Sequence, residues 1–180
     1  MRWGDWPSFG VGTPAVDIAS AQSAIAQLQG ILTGADGQVA AGTFDGAVSA
    51  YKTAGTLAVN VVLPAIVAAG GDYAVTSSSY GPSFAAAQTF LTADNAALQA
   101  VPVSTTAGQA VATLNDAMTA QNLAYGLLDQ SNAMMGFVQA LAGGASSGGA
   151  ATKGHWVMPA IAMFVGSIGA AMVWSHVERR

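Results

Sequence analysis

Apolar positions recur along most of this chain at intervals of three and four, the spacing of helices that bury one stripe. From Val16 to Thr33, the residues Ile18, Ala21, Ile25, Leu28 and Leu32 fall on one such stripe, of coiled-coil kind. A helix is predicted there, with Gly34 as its stop and a turn around Asp36. A second helical region follows from about Gln38 to Ala69, interrupted by glycines. Its later half, TLAVNVVLPAIVAA, is strongly apolar, and residues 53–71 form 19 positions without charge. That length could cross a membrane. Asn60 and Pro64 leave polarity to be satisfied internally, so a buried or re-entrant segment is favoured over a second span. A strand at Val59 to Leu63 fits the short apolar run as well.

Residues 70–83 read as a loop. A third helix is predicted from Ser83 to Val101, closed by Pro102, with Phe84, Ala87, Leu91, Leu98 and Val101 on its stripe and Asp94 on the same seam. A fourth runs from Thr106 to Ala142. Val111, Leu114, Met118, Tyr125, Leu128 and Met135 keep its spacing, and Gln121 and Asn132 interrupt it. Alanine dominates all these seams. Small seams let helices approach closely but bury little area per residue, so a body of this kind is expected to gain contacts by association.

The remaining pattern is different. Trp156 to Ser175 is a run of 20 uncharged residues, long enough to cross a hydrocarbon core of about 30 Å as a helix. Trp156 and Trp174 stand at its ends, where amphipathic rings prefer the headgroups. Lys153 and His155 precede it; His176, Arg179 and Arg180 follow it. Pro159 sits in the first turn, where its missing N–H costs little. Ala162, Gly166 and Ala170 form a small-xxx-small row for packing against another membrane helix, widened by Ser167 and Ala171. The expected organisation is an irregular aromatic segment at 1–14, a helical body at 15–142, a Gly/Ser linker at 143–154, a transmembrane helix at 155–176 and a basic tail at 177–180. Trp3, Trp6 and Phe9 in the first segment could dock on a partner or fold onto the body. The fold class is all-α: an Ala-rich helical bundle or coiled-coil-like body with a single C-terminal transmembrane helix.

Charge narrows the function. Hydrophobic residues make up 52% and charged ones 8%, far below the roughly 25% charge of an ordinary soluble domain. Residues 1–152 hold Arg2 and Lys52 against eight aspartates, and residues 153–180 hold three basic residues against Glu178. Phosphate neutralisation needs clusters of Lys and Arg, so no tight direct nucleic-acid binding is expected. With Cys 0, no disulfide and no thiolate metal site can form. No apolar run follows Arg2, so a cleavable secretion signal is not expected. His155 and His176 flank the anchor and cannot meet within one chain. Asp72, Asp94 and Asp116 recur every 22 residues but lie on different predicted elements, and a helix-start acid explains such residues equally well. Neither a base beside a nucleophile nor a phosphate loop can be built, so no enzyme, cofactor or metal site is expected.

The segments SAQSAIAQLQG (20–30) and AMTAQNLAYGLLDQSNAMM (117–135), together with the anchor, give a layout similar to bacteriophage pilot or internal ejection proteins. Those combine polar, weakly charged helices with a membrane-inserting segment, and this chain departs from them in being short. The resemblance implies a virion structural protein acting at a membrane during genome delivery. The alternative is an accessory single-pass subunit of a resident respiratory or photosynthetic complex. Either way the expected partners are a lipid bilayer and a homo-oligomer or larger assembly, and the expected location is the membrane.

Overall fold

A computed structural model describes residues 14–104, 106 and 110–146, and these are all-helical. Helix α1 spans Pro14–Ala40, α2 Phe44–Leu57, α3 Leu63–Asp72, α4 Gly81–Ala100 and α5 Leu114–Ser146. A π-helical turn, Ala58–Val62, joins α2 to α3, so residues Phe44–Asp72 form one rod of 29 residues. This rod and α5 lie side by side, with α1 and α4 on opposite flanks. The strand weighed at Val59 to Leu63 is this π turn instead.

Proline explains the π turn. Within a continuous helix Pro64 offers no N–H to the carbonyl four residues back and its ring crowds that carbonyl. The wider turn immediately before it eases the crowding by changing the register at which the ring enters. Leu63 donates to the Ala58 carbonyl, five residues back, so the ladder has already shifted where the proline enters.

Helix α1 does not stop at Gly34. It runs on through Gly37 to Ala40, because Ala35 is buried and Asp36 has partners on two other helices. The stop is Gly42, whose φ of 74° is open to glycine. Thr43 N–H donates to the Gln38 carbonyl at 2.9 Å and Gly42 N–H to the Val39 carbonyl at 3.0 Å. This is the paired closure of a Schellman turn, with glycine at its left-handed position.

The predicted stripe of α1 is buried from Ala21 to Leu32, with Ile18 half-buried, and every member of the α4 stripe is buried. On α5 the pattern is rotated. The core receives Ala117, Ala120, Ala124, Leu127, Met134 and Val138, while Val111, Leu114, Met118 and Tyr125 stay exposed. Helix α5 touches α1, α2, α3 and α4. A rod so surrounded can approach its neighbours only through small side chains, and in its first half the alanine face turns inward. Leu128 and Met135 lie near the edge of that face and are buried as expected. Further along, Phe137 stacks on Tyr80 with ring centres 5.2 Å apart, tying α5 to the α3–α4 connection. The helix begins at Leu114 rather than Thr106 and reaches Ser146, inside the stretch that composition assigns to a linker.

Two positions set the turns. Gly42→Ala is expected to lower stability by about 1 kcal/mol, since alanine disfavours the left-handed conformation there. Gly81→Ala places a Cβ against the Thr76 carbonyl, a backbone group that cannot swing away. Thermal unfolding followed by helical circular dichroism should show both losses, the second as large or larger.

Candidate functional site

Among the described residues there are seven aspartates and one base, Lys52. The carboxylates must therefore find neutral donors, and three of them do so in ways that shape one side of the bundle. Asp36, near the end of α1, joins its helix to two others. Tyr51 on α2 donates to its Oδ1 at 2.5 Å, Gln121 on α5 donates to the same oxygen at 2.8 Å, and Tyr125 donates to Oδ2 at 2.6 Å. Burial alone would push the Asp36 carboxyl up, but the three donors outweigh it and hold the group below its ordinary 3.8. Its attachment also raises the Tyr125 hydroxyl, which donates to the charged form.

Asp45, in the first turn of α2, accepts from the backbone N–H groups of Ser104 (2.7 Å), Val111 (3.1 Å) and Ala112 (3.1 Å). One carboxylate thus fastens both ends of the α4–α5 connection to the start of α2. Next along, Thr113 and Asp116 close a reciprocal cap on α5. The Asp116 Oδ2 accepts from the Thr113 hydroxyl (2.7 Å) and N–H (2.9 Å), and Asp116 N–H returns a bond to the hydroxyl (3.2 Å). The helix-start role of Asp116 is as the sequence allows. Asp72, at the end of α3, and Asp94, within α4, share no face with it.

Between these pins lies the exposed stripe of α5. Leu114 and Met118 are each 50% exposed, Tyr125 continues the row seven residues on, and Val111, in the non-helical segment just before α5, is exposed as well. Val111 is held at one end by Asp45 and Tyr125 at the other by Asp36. The row is a rigid apolar edge on a coiled-coil spacing, with its large side chains outward. Sequence reasoning found these residues as a seam but assigned them to the core. It missed the Asp36 node, whose Gln121 and Tyr125 partners lie 85 and 89 positions away in the chain. The Tyr51–Asp36 and Tyr125–Asp36 pairs carry no local sequence signal.

Asp94 joins no such set of donors. It lies half-buried opposite Gly126 of α5, where a Cβ would come within 3.2 Å of its Oδ2, and burial pushes its carboxyl up. The glycine makes the room that the acid occupies.

The anchor residues Trp156, Ala162, Gly166, Ala170 and Trp174, and with them the C-terminal transmembrane helix, lie outside the described residues, as do Trp3, Trp6 and Phe9. Among the described residues one helix, Phe44–Asp72, is long and apolar enough to cross a membrane; it is central in the chain. No group of three or more His, Cys, Asp or Glu that could hold a metal is present among them. No protein-family model, curated protein or solved structure matches the chain.

Asp36→Ala is expected to cost about 3 kcal/mol, because it strands the fully buried Tyr51 and removes the hydrogen bonds that Gln121 and Tyr125 of α5 make to α1. Tyr125→Phe, removing one partly exposed donor, should cost about 1 kcal/mol. Acidity acts in two directions. A lowered folded-state pKa means that Asp36 stabilises the fold above 3.8 and that this is lost as pH falls through its lower native value. Asp94 is raised, so its charge penalises the fold at neutral pH and protonation relieves this as pH falls through its native value. Asp94→Asn should therefore raise the melting temperature at pH 7 and give no gain at pH 3, measured by thermal unfolding at both.

Proposed function

We propose that this chain is a non-enzymatic, membrane-anchored structural protein that associates with further copies of itself through the outward stripe of α5. The observation that carries the reading is the rotation of that helix. Its alanines fill the bundle while Leu114, Met118 and Tyr125 stand at the surface on a seam spacing. Large apolar side chains withheld from a protein's own core, in a regular row, mark a contact surface rather than a packing residue. Carboxylate pins at both ends keep the row straight, so little order has to be gained on association.

The anchor in this reading is Trp156 to Ser175, with Ala162, Gly166 and Ala170 as a second, membrane-level contact. The setting we favour is a phage particle or its entry apparatus. The weakly charged Ala-, Gln- and Asn-bearing helices and the terminal apolar run support it. In that setting the chain would act at a membrane during genome delivery.

The full-length chain in mild detergent should give a multimer by light scattering. A double variant, Leu114→Lys with Met118→Lys, should keep its helicity, since both positions are half-exposed, and should fall toward the monomer mass. A chain truncated after Thr152 should retain the multimer. Persistence of the full assembly in the double variant would refute the α5 surface, and a monodisperse wild-type monomer would refute self-association itself.

A further inference from the structure

The rod Phe44–Asp72 carries a feature that its place in the bundle does not require. Its inward face is apolar, as a core demands: Ala54, Ala58, Val62, Ile66 and Ala69 are buried. Over residues 53–71 its outward face is uncharged as well: Thr53, Thr56 and Asn60 are exposed in the first half, and the second half is apolar. Val61 is 45% exposed, Val67 41% exposed, and Pro64 and Ala68 lie beside them in solvent. The corresponding face of α1 presents Gln22, Ser23, Gln27, Gln29 and Thr33. An uncharged helical stretch with large apolar residues on its outer side as well as its inner one is more at home in the middle of a large core or in lipid. This rod is on the outside of a small bundle.

We propose that residues 53–71 of this rod are a second membrane-crossing segment, stored in the bundle in water and transferred to the bilayer when the protein meets one. The 19 uncharged residues would span about 28 Å, against a hydrocarbon core of about 30 Å. They are bracketed by Tyr51 and Lys52 at one end and Asp72 and Tyr73 at the other, a ring-and-charge pair suited to each headgroup layer.

Polar groups in the run are already prepared for a dry environment. The Thr53 hydroxyl donates to the Ser49 carbonyl at 3.0 Å and the Thr56 hydroxyl to the Lys52 carbonyl at 3.1 Å, both within the helix itself. The π turn has shifted the backbone ladder ahead of Pro64, as lipid requires of a proline-containing span. Asn60 is left to pair with another helix, which amides in membranes do. The helices left behind stay linked, since α5 contacts both α1 and α4 without the rod.

The natural chain holds no cysteine, so single cysteines can be placed at Thr53, Leu57, Val61, Val67 and Gly71 of the full-length protein. Each is labelled with an environment-sensitive nitrobenzoxadiazole dye. The protein is reconstituted into vesicles of phosphatidylcholine and phosphatidylglycerol that carry shallow or deep nitroxide quenchers. Crossing predicts a depth profile deepest at Val61 and shallow at Thr53 and Gly71. Val61→Lys, harmless to the bundle because the position faces solvent, should keep helicity in water and lose the deep quenching at Val67. A flat shallow profile, no quenching at all, or deep quenching that survives Val61→Lys would each overturn the proposal. The terminal anchor is read separately: if it holds, the protein floats with vesicles whichever profile is found, and if it fails, deletion of residues 153–180 leaves flotation unchanged.

Discussion

Carboxylates without cations govern this bundle. With one lysine against seven aspartates among the described residues, the carboxylates that join the helices do so through neutral donors. Asp36 does so by recruiting a tyrosine from α2 and a glutamine and a tyrosine from α5. A carboxylate that accepts several hydrogen bonds is stabilised as strongly as one in an ion pair and is less sensitive to salt. The consequence is geometric. Three helices must reach one atom pair, and that requirement fixes the rotation of α5 about its own axis. Asp45 does the same for the α4–α5 connection with backbone donors alone.

The rotation has a second cause of the same sign. Helix α5 packs against every other rod, and the alanines at 117, 120 and 124 are the residues that allow so close an approach. Packing and hydrogen bonding agree, and their agreement pushes the larger residues outward. The exposed stripe is therefore a by-product of a satisfied interior, available for association at little cost to the bundle. Asp94 marks the opposite case, an acid tolerated in a seam because Gly126 leaves it space.

The rod Phe44–Asp72 combines two demands that rarely coincide. It supplies much of the inner wall of the bundle, from Ala47 to Gly70, and residues 53–71 keep an uncharged outer face. The π turn lets the rod carry its proline without a break in the helix. Near the same end of the bundle, the Tyr80–Phe137 stack joins the α3–α4 connection to α5, so part of the bundle is tied without the rod.

Periodicity was enough to establish that the described body is all-helical, to find the stripes of α1 and α4, and to place the end of α4 before Pro102. These depend on neighbours three and four residues away, and such information is written locally. Composition also announced that helices would approach closely. The tertiary structure decided what local pattern cannot encode. Gly34 and Gly37 are carried through a helix because the residue between them that binds, Asp36, has partners on two other rods. The face of α5 that turns inward depends on the distance to its neighbours, so large residues on a regular stripe were misassigned to the core. The Asp36 node joins residues more than eighty positions apart, and no spacing rule connects them. Helix existence is a property of the sequence; helix azimuth and the partners of buried charge are properties of the packed whole, because only there are distances between segments defined.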